Sequence, residues 1–248
     1  MAQMIFERFE TKYILNRAQY GALLLALEGK TAKDKYGSYS IGNIYYDTER
    51  YDLIRASIAK PVYKEKLRLR CYGRPESDSR VFLELKKKFK KRVYKRRIAL
   101  PYALAQGFPL DKAWEQICGE LVSQNDKQVA EEIGQFLRLY PVEPRVYLRY
   151  DRIALSGVED LDLRITFDSG IRFRQDDCCL DRGDYGMPVL DPDKVLMEVK
   201  TAFSIPLWLS RLLSEYGAFP VSFSKYGTCY RNFILNRQFC FSEEQLIA

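Results

Sequence analysis

Charged and apolar residues alternate along several segments of the chain, a pattern typical of β-strands with one apolar and one ionic face. Residues 64–70 carry Lys or Arg at every even position, with Leu67 and Leu69 between them. The same alternation occurs in residues 81–88, 160–165 and 197–200. One such strand is an ordinary solvated strand, but four with mainly positive charge indicate a shared surface for a polyanion.

The hydrophobic pattern predicts about eight strands with helices inserted between them. The strands are predicted at residues 6–15, 39–47, 64–72, 81–89, 92–100, 143–155, 158–168 and 195–201. Helices are predicted at residues 17–28 with Asn16 as N-cap, at 101–138 with breaks, at 206–216, and after a loop near 223. Short connections at 73–80 and 156–157 favour antiparallel hairpins over βαβ units. No low-complexity linker divides the chain, so we expect a single domain over residues 1–248.

The ionic faces of these strands allow two geometries. In one, the sheet is open and the ionic faces are solvated, which for any single strand is the ordinary arrangement. In the other, the sheet closes into a barrel, the ionic faces line its interior, and apolar exteriors pack on helices. The recurring order of carboxylate, then cation, on one face favours the second arrangement, as in Glu84 before Lys86, Asp162 before Arg164 and Glu198 before Lys200. We therefore predict an α+β fold with an eight-stranded antiparallel closed β-barrel surrounded by helices.

Composition narrows the chemistry that this fold can carry. Forty Lys and Arg against 33 Asp and Glu give a net charge of +7, which favours anionic partners. The absence of histidine excludes His-based acid-base catalysis, Ser-His-Asp triads and His-ligated zinc. The six cysteines form no C-x-x-C pair, so we expect reduced thiols in a cytoplasmic protein. No signal peptide is evident, and the apolar stretches fall far short of the ~20 residues of a membrane span.

Nine short motifs occur in an order that resembles the VTC-type polyphosphate polymerase domain of the triphosphate tunnel metalloenzyme superfamily. They lie at residues 9–13, 44–47, 66–73, 83–86, 93–95, 150–152, 163–165, 197–200 and 223–226. The resemblance extends from about residue 6 to about residue 230. It implies an eight-stranded antiparallel tunnel in which the γ-phosphoryl group of ATP is transferred to a growing inorganic polyphosphate chain with Mn²⁺ or Mg²⁺.

The resemblance also assigns roles to individual residues. The implied phosphate-binding cations are Lys12, Arg68, Arg70, Lys86, Lys95, Arg152, Arg164 and Lys225, to which we add Lys200. The implied metal-binding acid is Glu198, and Glu10 is either a second metal ligand or the partner of a cation. Glu84 and Asp162 are interpreted as ion-pair partners that brace the tunnel cations. The choice of Lys95 over Arg92, Arg96 and Arg97 stays open at this point.

One motif departs from the hydrolase branch of the superfamily, which begins with E-x-E-x-K. This chain has Arg8-Phe9-Glu10-Thr11-Lys12, so the first acid is replaced by Arg8. This replacement favours the polymerase branch of the superfamily. The expected substrates are then ATP and either polyphosphate or pyrophosphate. An inorganic tri- or polyphosphatase and a non-catalytic polyphosphate- or nucleotide-binding module are the alternatives. We expect no nucleic-acid partner, because no stacking motif or recognition helix is evident. A separate membrane partner and the oligomeric state stay open.

Overall fold

Ten antiparallel strands form one sheet in the computed structural model, which describes residues 5–6, 9–90 and 92–235. The strands are β1 (Ile5–Phe6), β2 (Phe9–Leu15), β3 (Thr31–Asp47), β4 (Tyr63–Tyr72), β5 (Arg80–Phe89), β6 (Arg92–Pro101), β7 (Glu143–Gly157), β8 (Arg164–Arg174), β9 (Met187–Pro188) and β10 (Val195–Thr201). Nine of them follow the order β1-β6-β5-β4-β3-β7-β8-β10-β2, and β9 pairs with β8. The predicted α+β class with antiparallel pairing is confirmed.

Seven α-helices and one π-helix accompany the sheet in the described parts of the chain. They are α1 (Arg17–Ala26), α2 (Asp52–Ile58), α3 (Tyr102–Ala105), α4 (Asp111–Glu120), α5 (Gln124–Leu139), α6 (Leu207–Glu215), α7 (Lys225–Cys229) and the π-helix Tyr230–Ile234. Asn16 caps α1 as predicted, through a capping box with Gln19. Among these helices, none has the length and apolar composition needed to cross a membrane.

The sheet is strongly curled, so that its two edges approach each other. β1 and β2 lie at opposite ends of the strand order, yet Phe6 and Phe9 are three residues apart in the chain. Their Cα atoms can therefore be at most about 11 Å apart. Lys86 on β5 also interacts electrostatically with Glu10 on β2, six places away in the order. No hydrogen-bonded ladder joins the two edges among the described residues, so the closed eight-stranded barrel is not confirmed.

Three apolar clusters divide the space on the two sides of this curled sheet. One packs α3, α4 and α5 on the outer face of β4, β5 and β6, and another packs α1 and α6 on the outer face of β2, β8 and β10. The third lies inside the curl, where Tyr45, Tyr150 and Leu196 contact residues of α2, α7 and the π-helix. Helices therefore fill one part of the interior, and the ionic side chains occupy the rest.

The sequence prediction was wrong about the segment before β8. It placed a strand over residues 158–168, but β8 begins at Arg164 and the chain turns before it. The turn is held by hydrogen bonds from the amides of Asp162 and Leu163 to the side chain and carbonyl of Asp160. Charge alternation in residues 160–165 thus reflects an Asx-type turn followed by the start of a strand. The predicted first strand includes residues 7 and 8, which lie outside the described residues.

Candidate active site

The inner face of the curled sheet carries the alternating cations of β4. Lys64, Lys66, Arg68 and Arg70 point inward, because the intervening Leu67 and Leu69 are fully buried in the outer cluster with α3, α4 and α5. This matches the alternation seen in the sequence. The cross-strand register then places Glu84 beside Arg68, and Lys86 beside Lys66. The solvated-face arrangement is therefore not the one adopted by these strands.

Glu84 is an ion-pair partner of three cations, as the sequence interpretation proposed. Its Oε2 lies 2.7 Å from Arg68 Nη2 and 3.7 Å from Arg70 Nε, and its Oε1 lies 2.5 Å from Lys95 Nζ. Burial opposes ionisation of this carboxyl, but the three cations together hold its pKa far below the ordinary value. Arg70 is further fixed by donating from Nε to Asn43 Oδ1 at 3.0 Å.

The register between β5 and β6 shows which of the four cations of β6 point inward. Lys95 pairs with Lys86 and Arg97 pairs with Glu84, so these two side chains share the inner face. Arg96 contacts Glu132 of α5 at 3.1 Å on the outer face, and Arg92 has the same parity as Arg96. Lys95 and Arg97 therefore both point inward, and the assignment of the phosphate-binding role to Lys95 stays a prediction.

A second group of charges lies deeper in the curl, and we call it the buried ion cluster: Asp168, Glu198, Arg152, Lys225 and Lys12. Arg152 binds Asp168 with two hydrogen bonds, Nε to Oδ1 at 2.6 Å and Nη2 to Oδ2 at 2.7 Å. Lys225 Nζ bridges both acids, at 2.6 Å from Asp168 Oδ2 and 3.1 Å from Glu198 Oε1. Lys12 Nζ lies 3.4 Å from the same Glu198 oxygen.

Helix α7 brings Lys225 into this cluster. Ser224 caps the helix by accepting a hydrogen bond from the amide of Gly227. The Tyr226 hydroxyl donates to Asp47 Oδ2 at 2.8 Å, which fixes the helix against β3. Lys225 is the first residue of the helix, and its position at the filled end of the cavity follows from these two contacts.

The charges of the buried ion cluster shift each other's pKa in opposite directions. Burial disfavours the Glu198 carboxylate, but Lys225, Lys12, Lys200 and Arg152 outweigh burial and hold its pKa well below the usual range. Burial likewise opposes the charge on Lys225, but Asp168 and Glu198 raise its pKa. Glu198 and Lys225 therefore each stabilise the charged form of the other.

Glu10 and Lys200 extend the cluster toward the open part of the curl. The ladder between β2 and β10 places Lys200 opposite Glu10 and Glu198 opposite Lys12. Glu10 Oε1 lies 3.1 Å from Lys12 Nζ and its Oε2 lies 3.6 Å from Lys200 Nζ. Burial raises the pKa of Glu10, but Lys12 and Lys200 more than offset this, so the net shift is downward.

Lys66 and Lys86, which we call the lysine pair, lack such partners. Neither forms a salt bridge with a described carboxylate. Burial lowers the pKa of Lys66 to about 7, and the nearby charges of Lys64, Lys86, Lys12 and Arg68 add to this shift. Burial also lowers the pKa of Lys86 to about 8, although Glu10 opposes the shift. Lys86 nevertheless keeps exposed surface although it points into the curl, so water reaches this part of the cavity and weakens the effect of burial on its pKa.

Arg164 lies at the rim of the cavity and outside the buried ion cluster. Its side chain is 47% exposed, and Asp34 Oδ2 is 3.9 Å from its Nη2. Asp162, the predicted brace of Arg164, lies in the exposed turn before β8 and does not share the inner face. That part of the sequence interpretation is corrected by the position of the turn.

Comparison with known proteins assigns the chain to a family. A sequence profile of the VTC domain matches residues 7–234. The chain belongs to the VTC domain family. The resemblance to the VTC-type domain that the sequence motifs indicated is confirmed by this match.

Solved structures and curated sequences add less to the VTC assignment. A candidate adenylate cyclase from Vibrio parahaemolyticus shares 12% identity, with 91% of this chain and 98% of that chain covered and a TM-score of 0.46. A candidate adenylyl cyclase from Hippeastrum, described as having a dominant triphosphatase activity, shares 17% identity over 90% and 94% of the two chains, also with a TM-score of 0.46. No curated protein matches the chain. Because both TM-scores lie below 0.5, the assignment rests on the VTC match.

The acids of this VTC domain suit a divalent metal only in the presence of phosphate. Among the described residues, no group of three or more acidic or sulfur side chains could hold a metal alone. Glu10 and Glu198 share the inner face, and Mg²⁺ sites commonly use one or two carboxylates together with substrate phosphates. The Thr166 hydroxyl, directly opposite Glu198 and buried, has no hydrogen-bond partner in the structure. These residues therefore fit a metal that arrives with a phosphate ligand.

Sequence reasoning missed Asp168, the most deeply placed acid of the VTC domain site, with no exposed surface. Asp168 shares the parity of Arg164 and Thr166 along β8, and this alternation was the available signal. The alternation of charge in residues 160–165 favoured Asp162 instead, which lies in the turn before β8. Lys66 was recognised as inward by alternation, but the resemblance assigned it no role.

Proposed function

We propose that this VTC domain is a polyphosphate polymerase that transfers the γ-phosphoryl group of ATP to an inorganic polyphosphate or pyrophosphate acceptor. One observation carries the proposal. Cations from β2, β4, β5, β6, β7, β10 and α7 converge on one water-accessible interior, and the lysine pair there forms no salt bridge with any carboxylate of the described residues. A cavity with unpaired cations among buried ion pairs is complementary to a chain of phosphates.

The proposed roles of the cations follow from their positions. Arg68, Arg70 and Arg152 are held rigidly by carboxylates, so their remaining guanidinium donors are oriented before substrate binds. Oriented donors of this kind stabilise charge at low reorganisation cost. Lys86, Lys95 and Lys200 supply further positive charge along the path, and Arg164 contributes at the rim. Lys12 and Lys225 contact the substrate phosphates less directly, because both are engaged by Glu198.

Glu198, with Glu10 beside it, would hold Mg²⁺ or Mn²⁺ when the metal arrives bound to the nucleotide. Such an ion neutralises charge on the phosphate oxygens during transfer. The four cations around Glu198 keep its carboxylate ionised and fixed in direction. Occupation of this site requires Lys12 and Lys200 to shift toward the incoming phosphates, since both now contact the same carboxylates.

The transfer itself needs no histidine or other strong base. A terminal phosphate oxygen of the acceptor, already ionised near neutral pH, forms the new bond to the γ-phosphorus of ATP. The bond from that phosphorus to the β–γ bridging oxygen breaks, and ADP leaves with the electron pair. The cations of the inner face reduce the repulsion between acceptor and ATP, which is worth roughly 4 kcal/mol for one charge pair at 4 Å and an effective dielectric of about 20.

Product analysis tests this proposal directly. Purified protein is incubated with ATP, Mn²⁺ and a pyrophosphate primer, and the products are resolved by gel electrophoresis and nucleotide chromatography. Long polyphosphate with stoichiometric ADP is the expected result. Orthophosphate without polyphosphate would contradict the polymerase and identify a phosphatase, whereas tight polyphosphate binding without turnover would identify a binding module.

Two variants test the assigned positions in the same assay. Glu198→Gln should abolish turnover while retaining polyphosphate binding, because the metal ligand is removed and the cations remain. Lys87→Gln is the control: Lys87 lies next to Lys86 on β5, but on the outer face, where it contacts Glu132 Oε2 at 3.3 Å. Unchanged turnover in Glu198→Gln would contradict the metal assignment.

A phosphatase is the second candidate, and the exposure of Lys86 favours it. Water that reaches the lysine pair could act as acceptor in place of a phosphate chain. The two activities use the same cations and differ only in the acceptor, so the ratio of polyphosphate to orthophosphate formed decides between them.

A further inference from the structure

Four aromatic rings form a ladder across three strands at one rim of the cavity: Tyr36, Tyr39, Tyr72 and Phe82. Neighbouring ring centroids are 6.0 Å apart for Tyr36 and Tyr39, 5.9 Å for Tyr39 and Tyr72, and 5.8 Å for Tyr72 and Phe82. All three contacts are edge-to-face, a favoured geometry for aromatic pairs. The ladder thus runs from β3 over β4 to β5 as one continuous aromatic rim.

Two rings of this aromatic rim are exposed, whereas Phe82 is half-buried and Tyr39 is half-buried against the inner apolar cluster. Tyr36 is 65% exposed and Tyr72 is 46% exposed, and neither belongs to any of the three apolar clusters. Cations flank both ends of the ladder. Lys35 Nζ lies 5.0 Å from the Tyr36 ring centroid, and Arg97 Cζ lies 4.9 Å from that of Phe82. Exposed rings such as Tyr36 and Tyr72, anchored by half-buried neighbours, mark a surface for a ligand.

The aromatic rim continues directly into the cationic interior. Tyr72 follows Arg70 by two residues on the same face of β4, and Phe82 precedes Glu84 by two residues on β5. Two residues along a strand span about 6.8 Å. Tyr39 is paired across β3 and β7 with Arg152 of the buried ion cluster. A ligand with an aromatic group linked to phosphates by a short sugar could therefore contact both regions at once.

We propose that the aromatic rim binds the base of the nucleoside triphosphate, with its phosphates directed inward past Arg70 and Arg152. This inference rests on the proposed function, because it specifies which end of the cavity the nucleotide enters. Rings and guanidinium groups stack on any base through its flat face. Since stacking does not read base edges, the rim should favour purines by their area and should distinguish ATP from GTP poorly.

Calorimetric titration of the full chain with ATP, GTP and inorganic tripolyphosphate, each with Mg²⁺, tests the aromatic rim. In Tyr72→Leu, the affinity for ATP and for GTP should fall about 5- to 150-fold, the range equivalent to ~1–3 kcal/mol for stacking of a base on an aromatic ring. The affinity for tripolyphosphate, which has no base, should change less than about twofold. Tyr36→Ala should show the same pattern with a smaller effect on nucleotides, since Tyr36 lies farther from Arg70 on the ladder.

A matched control lies on the same strand. Tyr63 is also 46% exposed, but its odd position places it on the outer face of β4. Tyr63→Leu should leave the ratio of ATP to tripolyphosphate affinity unchanged. Equal losses for ATP and tripolyphosphate in Tyr72→Leu, or no loss in either, would overturn the base-binding inference and leave the phosphate site standing. Failure of the unaltered protein to bind tripolyphosphate would instead overturn the proposed function and this inference with it.

Discussion

The buried ion cluster and the lysine pair contain the same kinds of cation on the same face of one sheet, but their electrostatic states differ. In the cluster, Arg152 and Lys225 share Asp168 and Glu198 at distances down to 2.6 Å, and the pKa of Lys225 is raised. In the lysine pair, Lys66 and Lys86 form no salt bridge within the part of the chain that the structure describes, and burial lowers their pKa values to about 7 and about 8, although Glu10 opposes the shift of Lys86. The ion pairs of the buried ion cluster stabilise the fold, whereas the charges of the lysine pair destabilise it until an anion binds.

This difference separates the cations that carboxylates orient before substrate binds from those that have no such partner. A cation already paired in the interior gains less Coulomb energy from a second anion than an unpaired one, because its charge is partly neutralised, although a guanidinium keeps further donors for phosphate. An interior cation without an ion-pair partner gains attractive Coulomb energy from a bound anion. The anion also offsets the repulsion between that cation and its neighbouring cations.

The largest effect is expected from breaking the buried ion cluster. Asp168→Asn leaves Arg152 and Lys225 with too little negative charge in a buried position, and it should lower the free energy of unfolding by about 3–5 kcal/mol. Urea unfolding at pH 7 measures this. Asp162→Asn, in the exposed turn before β8, is the control and should change stability little. A loss below 1 kcal/mol in Asp168→Asn would show that the cluster is not structural.

The next effect concerns substrate affinity. Lys86→Gln should weaken tripolyphosphate binding about 10- to 150-fold, which corresponds to the ~1.5–3 kcal/mol of a hydrogen bond to a charged group. Lys87→Gln, the adjacent residue on the outer face, should change the affinity less than about twofold. Calorimetric titration at constant ionic strength measures both. Equal losses in the two variants would mean that net charge, and not position, governs binding.

A third prediction concerns protons. Lys66 has a pKa of about 7 in the folded protein and 10.5 as its ordinary value, so at pH 8 it is mostly neutral without ligand. A bound phosphate favours the charged form, so binding at pH 8 should take up to about one proton more than in Lys66→Gln. Calorimetry in buffers of different ionisation enthalpy measures this uptake. No difference between the two proteins would show that Lys66 does not face the bound anion.

Lys66 should also make the free energy of unfolding depend on pH. The unfolded chain keeps Lys66 protonated up to its ordinary pKa of 10.5, whereas the folded protein releases the proton near pH 7. Lys66 therefore makes the unfolding free energy rise as pH increases from about 7 to about 10, and Lys66→Gln should flatten that part of the profile. Glu198 affects stability at acidic pH, because its ionised carboxylate stabilises the folded protein. That contribution to the free energy of unfolding is lost as the pH falls below 4.5, the ordinary pKa of a glutamate.

The smallest effect is expected at the rim. Arg164 is 47% exposed and its nearest described carboxylate is 3.9 Å away, so water screens its charge. Arg164→Gln should weaken tripolyphosphate binding no more than about fivefold, equivalent to ~1 kcal/mol. A loss as large as that of Lys86→Gln would move the phosphate path outward to the rim.

Strand identity and inward parity could be predicted from the sequence, because alternation along β4, β5 and β10 directly reports which side chains share a face. The predicted inward positions of Arg68, Lys86 and Glu198 follow from that signal alone. Asp168 and the partners of each acid could not be predicted, because they depend on the register between strands that are distant in sequence. Register also decided between Lys95 and Arg96, which alternation could separate only once β5 was aligned.

The aromatic rim could not be predicted from the sequence either, because it also depends on the register between strands. Tyr36, Tyr39 and Tyr72 are unremarkable tyrosines in the sequence, and their common location depends on the pairing of β3 with β4. Tyr51 of the inner apolar cluster is chemically identical and has a packing role. Only the exposed fraction and the neighbours of each ring distinguish the two uses.

The positions of β1 and β2 in the chain have a consequence for how the molecule is made. β1 pairs with β6 near residue 93, and β2 pairs with β10 near residue 198, although the two strands are separated by only two residues. During synthesis the N-terminal segment can join one side of the sheet early, but its second strand has no partner until residue 201 has left the ribosome. Such long-range pairings form slowly, because closure of a long loop precedes any gain from contact. The ion pair of Lys12 with Glu198 therefore forms late, and the nascent chain cannot hold the complete buried ion cluster until Lys225 has been synthesised.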